Sequence, residues 1–217
     1  MHWNGPAIAL AALALTVLAA PAFAREPTPD VPLPWACGYD RAAMLALDYD
    51  RFDGDQAEGW RPLADRPGCE LAAAEVLAAY RTDNAAKVTD TQRRALFWSE
   101  GQLRATAGQT ASAIELMDLS RAGDPSAANT LYAEATMAFL RHDRPALMKA
   151  RAALAATPPP ATFPADAAEV KARYGLIITW PPHLAVVDRL VACFGKSYAL
   201  AYGQGCPGMP PPRRAGG

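Results

Sequence analysis

Alternating runs of Val, Ile and Thr are almost absent from this 217-residue chain, which argues against a fold built on half-buried strands. Histidine is scarce, with three copies, and none of the four cysteines stands in a C-x-x-C pair, so the usual spacing of a zinc site is missing. Neither sign of charge dominates: 21 Lys and Arg face 22 Asp and Glu, for a net charge of -1. A nucleic-acid binder usually shows a basic excess or stripe, and none is visible. G-x-S-x-G, S-x-x-K, H-E-x-x-H and G-x-x-x-x-G-K are all lacking. No metal, cofactor or nucleic acid is therefore expected.

Residues 1–24 also lack charge, and they pack Ala, Leu, Ile and Val densely from Ala7 to Ala20 before ending in Pro21, Ala22, Phe23 and Ala24. The apolar stretch is shorter than the about 20 residues of a membrane span. It predicts a secretory signal peptide cleaved after Ala24, although the stretch before it holds His2 and Trp3 rather than Lys or Arg. The product would be periplasmic or secreted, with no stable membrane span once the segment is removed.

In an oxidising compartment, Cys37, Cys69, Cys193 and Cys206 are expected to form disulfides. Of the three possible pairings, Cys37 with Cys69 and Cys193 with Cys206 each close a local loop between neighbouring helical segments. On the chain-entropy view each is worth about 3–4 kcal/mol. Residues 25–35 carry Pro27, Pro29, Pro32 and Pro34 and read as an extended arm. From 36 to 206 a single helical domain is expected, followed by a disordered Pro/Arg/Gly tail over 207–217.

Apolar residues within 36–206 recur at helical spacing. Helices are predicted near 37–49, 69–82, 90–107, 110–122, 126–141 and 144–157, with Thr89 and Asp90 as candidate N-caps. After Pro158, Pro159 and Pro160 a short helix is expected at 164–174. Another follows Trp180, Pro181 and Pro182, with Leu184, Val187, Leu190, Val191 and Phe194 on one stripe.

Gly101, Gly108, Ala113 and Pro125 stand at consensus-bearing positions of a two-helix repeat. A shift of 33 aligns Ala113 with Ala146, Ile114 with Leu147, Met117 with Ala150, Ser120 with Ala153 and Pro125 with Pro158. Small residues where helices touch and a proline closing each unit resemble the tetratricopeptide repeat, over about residues 94–158. The first helix of each unit departs from that pattern at Glu100, Arg104 and Glu134. The segments GWRPLA, FWSEGQLRATAG, WPP and CFGKSYALAYGQGC also resemble a group of bacterial secreted proteins with no assigned activity. The tetratricopeptide resemblance implies an all-α fold of antiparallel hairpins stacked as a short solenoid, with the disulfide-bonded ends as caps. It also implies a groove faced by Trp98, Gln102 and Thr106 from one unit and by Leu131, Ala135 and Phe139 from the next. Either a partner peptide or the chain's own segment from Phe163 to Cys206 would fill it.

Other residues could carry chemistry. His142 reads as a helix-end residue beside Asp143, and His183 as a helix-start residue. The acidic stretch from Asp48 to Gly59 fails the EF-hand spacing and reads as a solvated turn. Glu100, Glu115, Asp118 and Glu134 could serve a glycosidase, but Glu100 with Arg104 and Asp118 with Arg121 first suggest surface ion pairs. The leading expectation is a protein- or peptide-binding module without catalysis. The alternative is a small envelope hydrolase using groove carboxylates.

Overall fold

The computed structural model describes residues 37–206. The expected signal segment, the arm over 25–35 and the tail over 207–217 lie outside the described residues. Within them every regular element is helical. The order is α1 (Arg41–Ala46), a π-helical turn at Asp50–Gly54, α2 (Arg61–Ala64), α3 (Glu70–Asp83), α4 (Asp90–Thr106) and α5 (Thr110–Arg121). Then come α6 (Ala127–Leu140), α7 (Arg144–Ala155), α8 (Phe163–Tyr174), α9 (Leu184–Ala192) and a second π-helical turn at Leu200–Gln204. Cys37 bonds Cys69 and Cys193 bonds Cys206, so both pairings match the expectation. Disulfides of this kind belong to an extracytoplasmic, oxidising environment.

The helices begin where side chains can satisfy their free N–H groups. Thr89 caps α4 through a full capping box: its hydroxyl accepts from Gln92 N at 3.2 Å, and Gln92 Oε1 accepts from Thr89 N at 2.8 Å. Ser126 caps α6 and Asp143 caps α7 through Asn129 N and Ala146 N. Three residues separate α4 from α5 and α6 from α7, which folds each pair into an antiparallel hairpin. Gly101 brings α4 close to α5: a Cβ there would lie 3.1 Å from Met117 Cγ and 3.2 Å from the Ala113 carbonyl.

Two apolar cores form on these elements. The first gathers Phe52, Trp60, Leu63, Val76, Leu77 and Leu96 with the Cys37–Cys69 bridge. The second gathers Met117, Phe139, Leu147, Leu154, Val187 and Leu190 with Ala105. Helix α4 contributes to both, through Leu96 at its start and Ala105 near its end.

The region expected as one helix over 37–49 and a solvated turn over 48–59 folds differently. α1 stops at Ala46, and the π-helical turn buries Phe52 against Tyr80, ring on ring at 3.7 Å. Asp53, only 8% exposed, accepts from Tyr49 Oη at 2.8 Å and Trp60 Nε1 at 2.9 Å, while its carbonyl accepts from the Arg61 guanidinium. Burial of the aromatic rings pulls this acid inward, and the ring of donors compensates its lost hydration. Burial, and then the bond to Asp53, pushes the Tyr49 phenol up.

Gly59 closes this turn at φ +64°, and a Cβ on it would overlap the Phe52 backbone carbonyl. Gly68 also has positive φ but faces open space. Gly59→Ala should therefore destabilise by about 2–4 kcal/mol, while Gly68→Ala should cost about 1 kcal/mol. Chemical denaturation of both variants measures the gap; equal losses would show that the close approach to Phe52 is unimportant.

Candidate functional site

The six groove residues do not line one surface. Phe139 is 2% exposed, beneath Phe194 with ring centroids 6.3 Å apart and Tyr198 at 6.4 Å. Ala135 is fully buried in the same core. Gln102 donates from Nε2 to Tyr198 Oη at 3.4 Å, and the Thr106 hydroxyl donates to the Gln102 carbonyl in its own helix. Leu131 lines a shallow depression of about 330 Å³ with Asp118, Arg121 and Glu134. Only Trp98 of the six borders the larger cleft. As open contact positions, Ala135 and Phe139 are therefore corrected: both are buried, Phe139 beneath the chain's own carboxyl-terminal strap.

That strap is α9 and the segment through Cys206. Its apolar stripe places Val187 and Leu190 in the second core, with Leu184, Val191 and Phe194 packed against it. Arg151 on α7 holds Asp188 at 2.8 Å, Arg189 donates to the Tyr202 carbonyl at 3.2 Å, and the Cys193–Cys206 bond closes the far end. Tyr132 on α6 and Tyr198 of the strap itself are buried where the two meet. Burial, and then the neighbouring tyrosines, raises both phenols well above 10.0.

The strap stops covering the α4–α6 gap at His183. There a cleft of about 480 Å³ remains. It exists because its inner lining is short: Ala95 on α4, Ala133 on α6 and Ser120 on α5 stand between long side chains. Arg94 and Trp98 form the α4 wall, while Asn129 and Tyr132 form the α6 wall. Trp98 tilts against Tyr132 at 4.9 Å, and the His183 imidazole lies flat on the other side of the cluster, 4.4 Å from the Tyr132 ring. Burial lowers the His183 pKa from 6.5, so the ring is neutral at pH 7. His183 caps this end with φ +66°.

Most polar groups around the cleft are already engaged. Arg121 pairs with Asp118 at 2.7 Å and Glu134 at 3.7 Å. Asp124 accepts from Ser126 N at 2.8 Å and Asn129 Nδ2 at 3.2 Å, and the Ser120 hydroxyl donates to the Met117 carbonyl at 2.8 Å. Arg94 bonds only the Thr91 hydroxyl, at 3.0 Å, and has no ion-pair partner among the described residues. The cleft therefore offers apolar and aromatic surface with one unneutralised guanidinium, a surface suited to holding a ligand. Trp98 was visible beforehand. Arg94 shares its face, one turn earlier, and could have been read from that spacing. Tyr132 and His183 carried no such signal.

The carboxylates are dispersed. Glu100, expected at the surface, is 2% exposed between α3 and α4, bonded by Arg81 at 2.9 Å and Arg104 at 2.8 Å. Arg104 also reaches Glu75 at 3.0 Å and Gln109 at 2.7 Å. Glu115, Asp118 and Glu134 are exposed on α5 and α6. His142 sits past the end of α6 with φ +56°, where its N–H bonds the Phe139 carbonyl.

Compared with protein-family models, curated proteins and solved structures, the chain has no significant match.

Two outcomes follow from these burials. Glu100→Ala strands Arg81 and Arg104 in a largely dry interface and should cost about 2–4 kcal/mol in denaturation, well above an exposed pair such as Asp118→Ala. The buried phenols work in the opposite pH range. Their folded-state pKa values are raised, so their protonated form is neutral in energy below pH 10.0. Above that pH the unfolded chain releases protons that the folded chain keeps, and stability should fall by about 1.4 kcal/mol per pH unit for each such tyrosine. Tyrosinate absorbance for Tyr132 and Tyr198 should then appear together with loss of helical circular dichroism, not before it.

Proposed function

We propose that this chain is an extracytoplasmic binding module, periplasmic or secreted, with no catalysis of its own. Its hairpins stack in the manner of a short tetratricopeptide-like solenoid, and the cleft between α4 and α6 receives an extended segment of a partner protein. The carrying observation is that the groove is closed by the chain's own strap below His183 but left open above it, with Trp98 and Arg94 in the wall.

The close approach at Gly101 and the two antiparallel hairpins support the stacked-hairpin reading. For the peptide reading, the support is the form of the cleft. It lies between two helices, its inner lining is small enough to admit a backbone, and Trp98 offers a broad apolar contact beside Arg94, a cation with no ion-pair partner among the described residues.

Peptides selected from a displayed random library against the wild-type chain provide the test. Such peptides should lose about tenfold or more in affinity for Trp98→Ala, the scale of an aromatic anchor at the centre of a contact. Arg94→Ala should weaken those that carry an acidic side chain. Leu119→Ala, an exposed residue on α5 outside the cleft lining, should leave affinity unchanged. Selected peptides that bind Trp98→Ala as well as wild type would overturn the assignment of the cleft.

A further inference from the structure

Among the described residues, α8 is the one helix longer than two turns that buries no residue fully. Its Phe163, Ala167 and Val170 are half-buried, and Phe163 packs against Trp180. Gly175, at φ +69°, ends it in a left-handed turn, with its N–H bonded to the Lys171 carbonyl at 3.0 Å. The following residues, Leu176 to Thr179, have no regular structure and no backbone hydrogen bond to another segment among the described residues.

This turn collects apolar surface that elsewhere stands singly. Ile177 is 72% exposed and Tyr174 61%, with Leu176 and Ile178 beside them. Leu119 and Met148, the other large exposed apolar residues among the described residues, lie apart on α5 and α7. A run of adjacent exposed side chains of this kind calls for a partner surface, where isolated ones do not. The base of the turn is secured: Trp180 donates from Nε1 to the Thr157 carbonyl at 2.7 Å and meets Phe163 edge-on at 5.3 Å.

Charge identifies the partner. Lys171 and Arg173, in the last turn of α8, make no ion pair among the described residues, and Arg173 lies over the Tyr174 ring at 5.4 Å. Between Lys171 and Ile178 there are two cations and no acid; the nearest acid of α8, Glu169, stands one turn before Arg173 and pairs with neither cation among the described residues. Aliphatic side chains flanked by tyrosine and by two free cations match the boundary of an anionic bilayer, where chains enter the acyl region and cations stay with the headgroups. A second copy of this chain would place the same cations against each other.

We propose that the tip formed by Lys171, Arg173, Tyr174, Leu176, Ile177 and Ile178 docks the protein peripherally on an anionic lipid surface. This is separate from the cleft. No helix among the described residues is long and apolar enough to span a membrane, so the contact is interfacial.

Co-sedimentation with vesicles of phosphatidylethanolamine and phosphatidylglycerol tests this, using the full chain so that the stretch from Ala7 to Ala20 is common to every variant. Ile177→Asp should lower vesicle partitioning by about tenfold or more relative to wild type. Lys171→Glu with Arg173→Glu should lower it by about twentyfold on these vesicles at low salt, and much less on phosphatidylcholine. Thermal unfolding of each variant should match wild type, because the altered side chains are exposed. Trp98→Ala should bind vesicles as wild type does, which separates this result from the fate of the cleft. Partitioning of Ile177→Asp equal to wild type would overturn the proposal. So would a wild-type dimer in lipid-free sedimentation velocity that Ile177→Asp turns into a monomer.

Discussion

Helix α4 is packed on two sides at once, and much of the arrangement follows from that constraint. Its first half closes the amino-terminal core through Leu96, and its last turns enter the second core through Ala105. Between these points α3 approaches from one side and α5 from the other. Gly101 meets the α5 approach by having no side chain. Glu100 meets the α3 approach with a carboxylate that Arg81 and Arg104 neutralise. A buried ion cluster of this kind gives little net stability compared with apolar residues, but leaving it half-paired is costly. Its geometry ties α3 to α4 at Arg81 and Glu100.

The carboxyl-terminal strap controls what the helical hairpins leave accessible. Without α9 and the turn after it, Phe139 and Ala135 would face outward as a broad apolar trough, which a soluble chain rarely exposes. Val187, Leu190, Phe194 and Tyr198 close most of that trough, and the Cys193–Cys206 bond ties the end of the strap back to the end of α9. The same segment ends the coverage at His183, whose ring stacks on Tyr132. The open cleft is thus the remainder of a groove that the chain mostly fills for itself.

Helix positions were legible because apolar spacing and capping chemistry are local. Thr89 with Gln92 marks the start of α4, and Asp143 marks the start of α7. The acidic segment was misread for a nonlocal reason. Its charges suggest solvent, but Phe52 finds Tyr80 in α3 and draws Asp53 into a ring of donors supplied partly by Trp60 and Arg61. Glu100 was misread in the same way: its partner at i+4 was foreseeable, while Arg81, nineteen residues earlier, was not. The repeat pattern points to Trp98, but the strap covers Phe139 and engages Gln102, while Leu131 faces a separate depression.

By itself the sequence determined the helical class, most helix boundaries and the pairing of the four cysteines. Each depends on contacts or loop closures within a few tens of residues, where side-chain type and spacing govern the outcome. Only the tertiary structure decided which face of α6 is covered, which acids are buried, and where an opening survives. Those depend on which distant segment reaches a surface first and how much apolar area it removes from water, and no spacing within one helix records that.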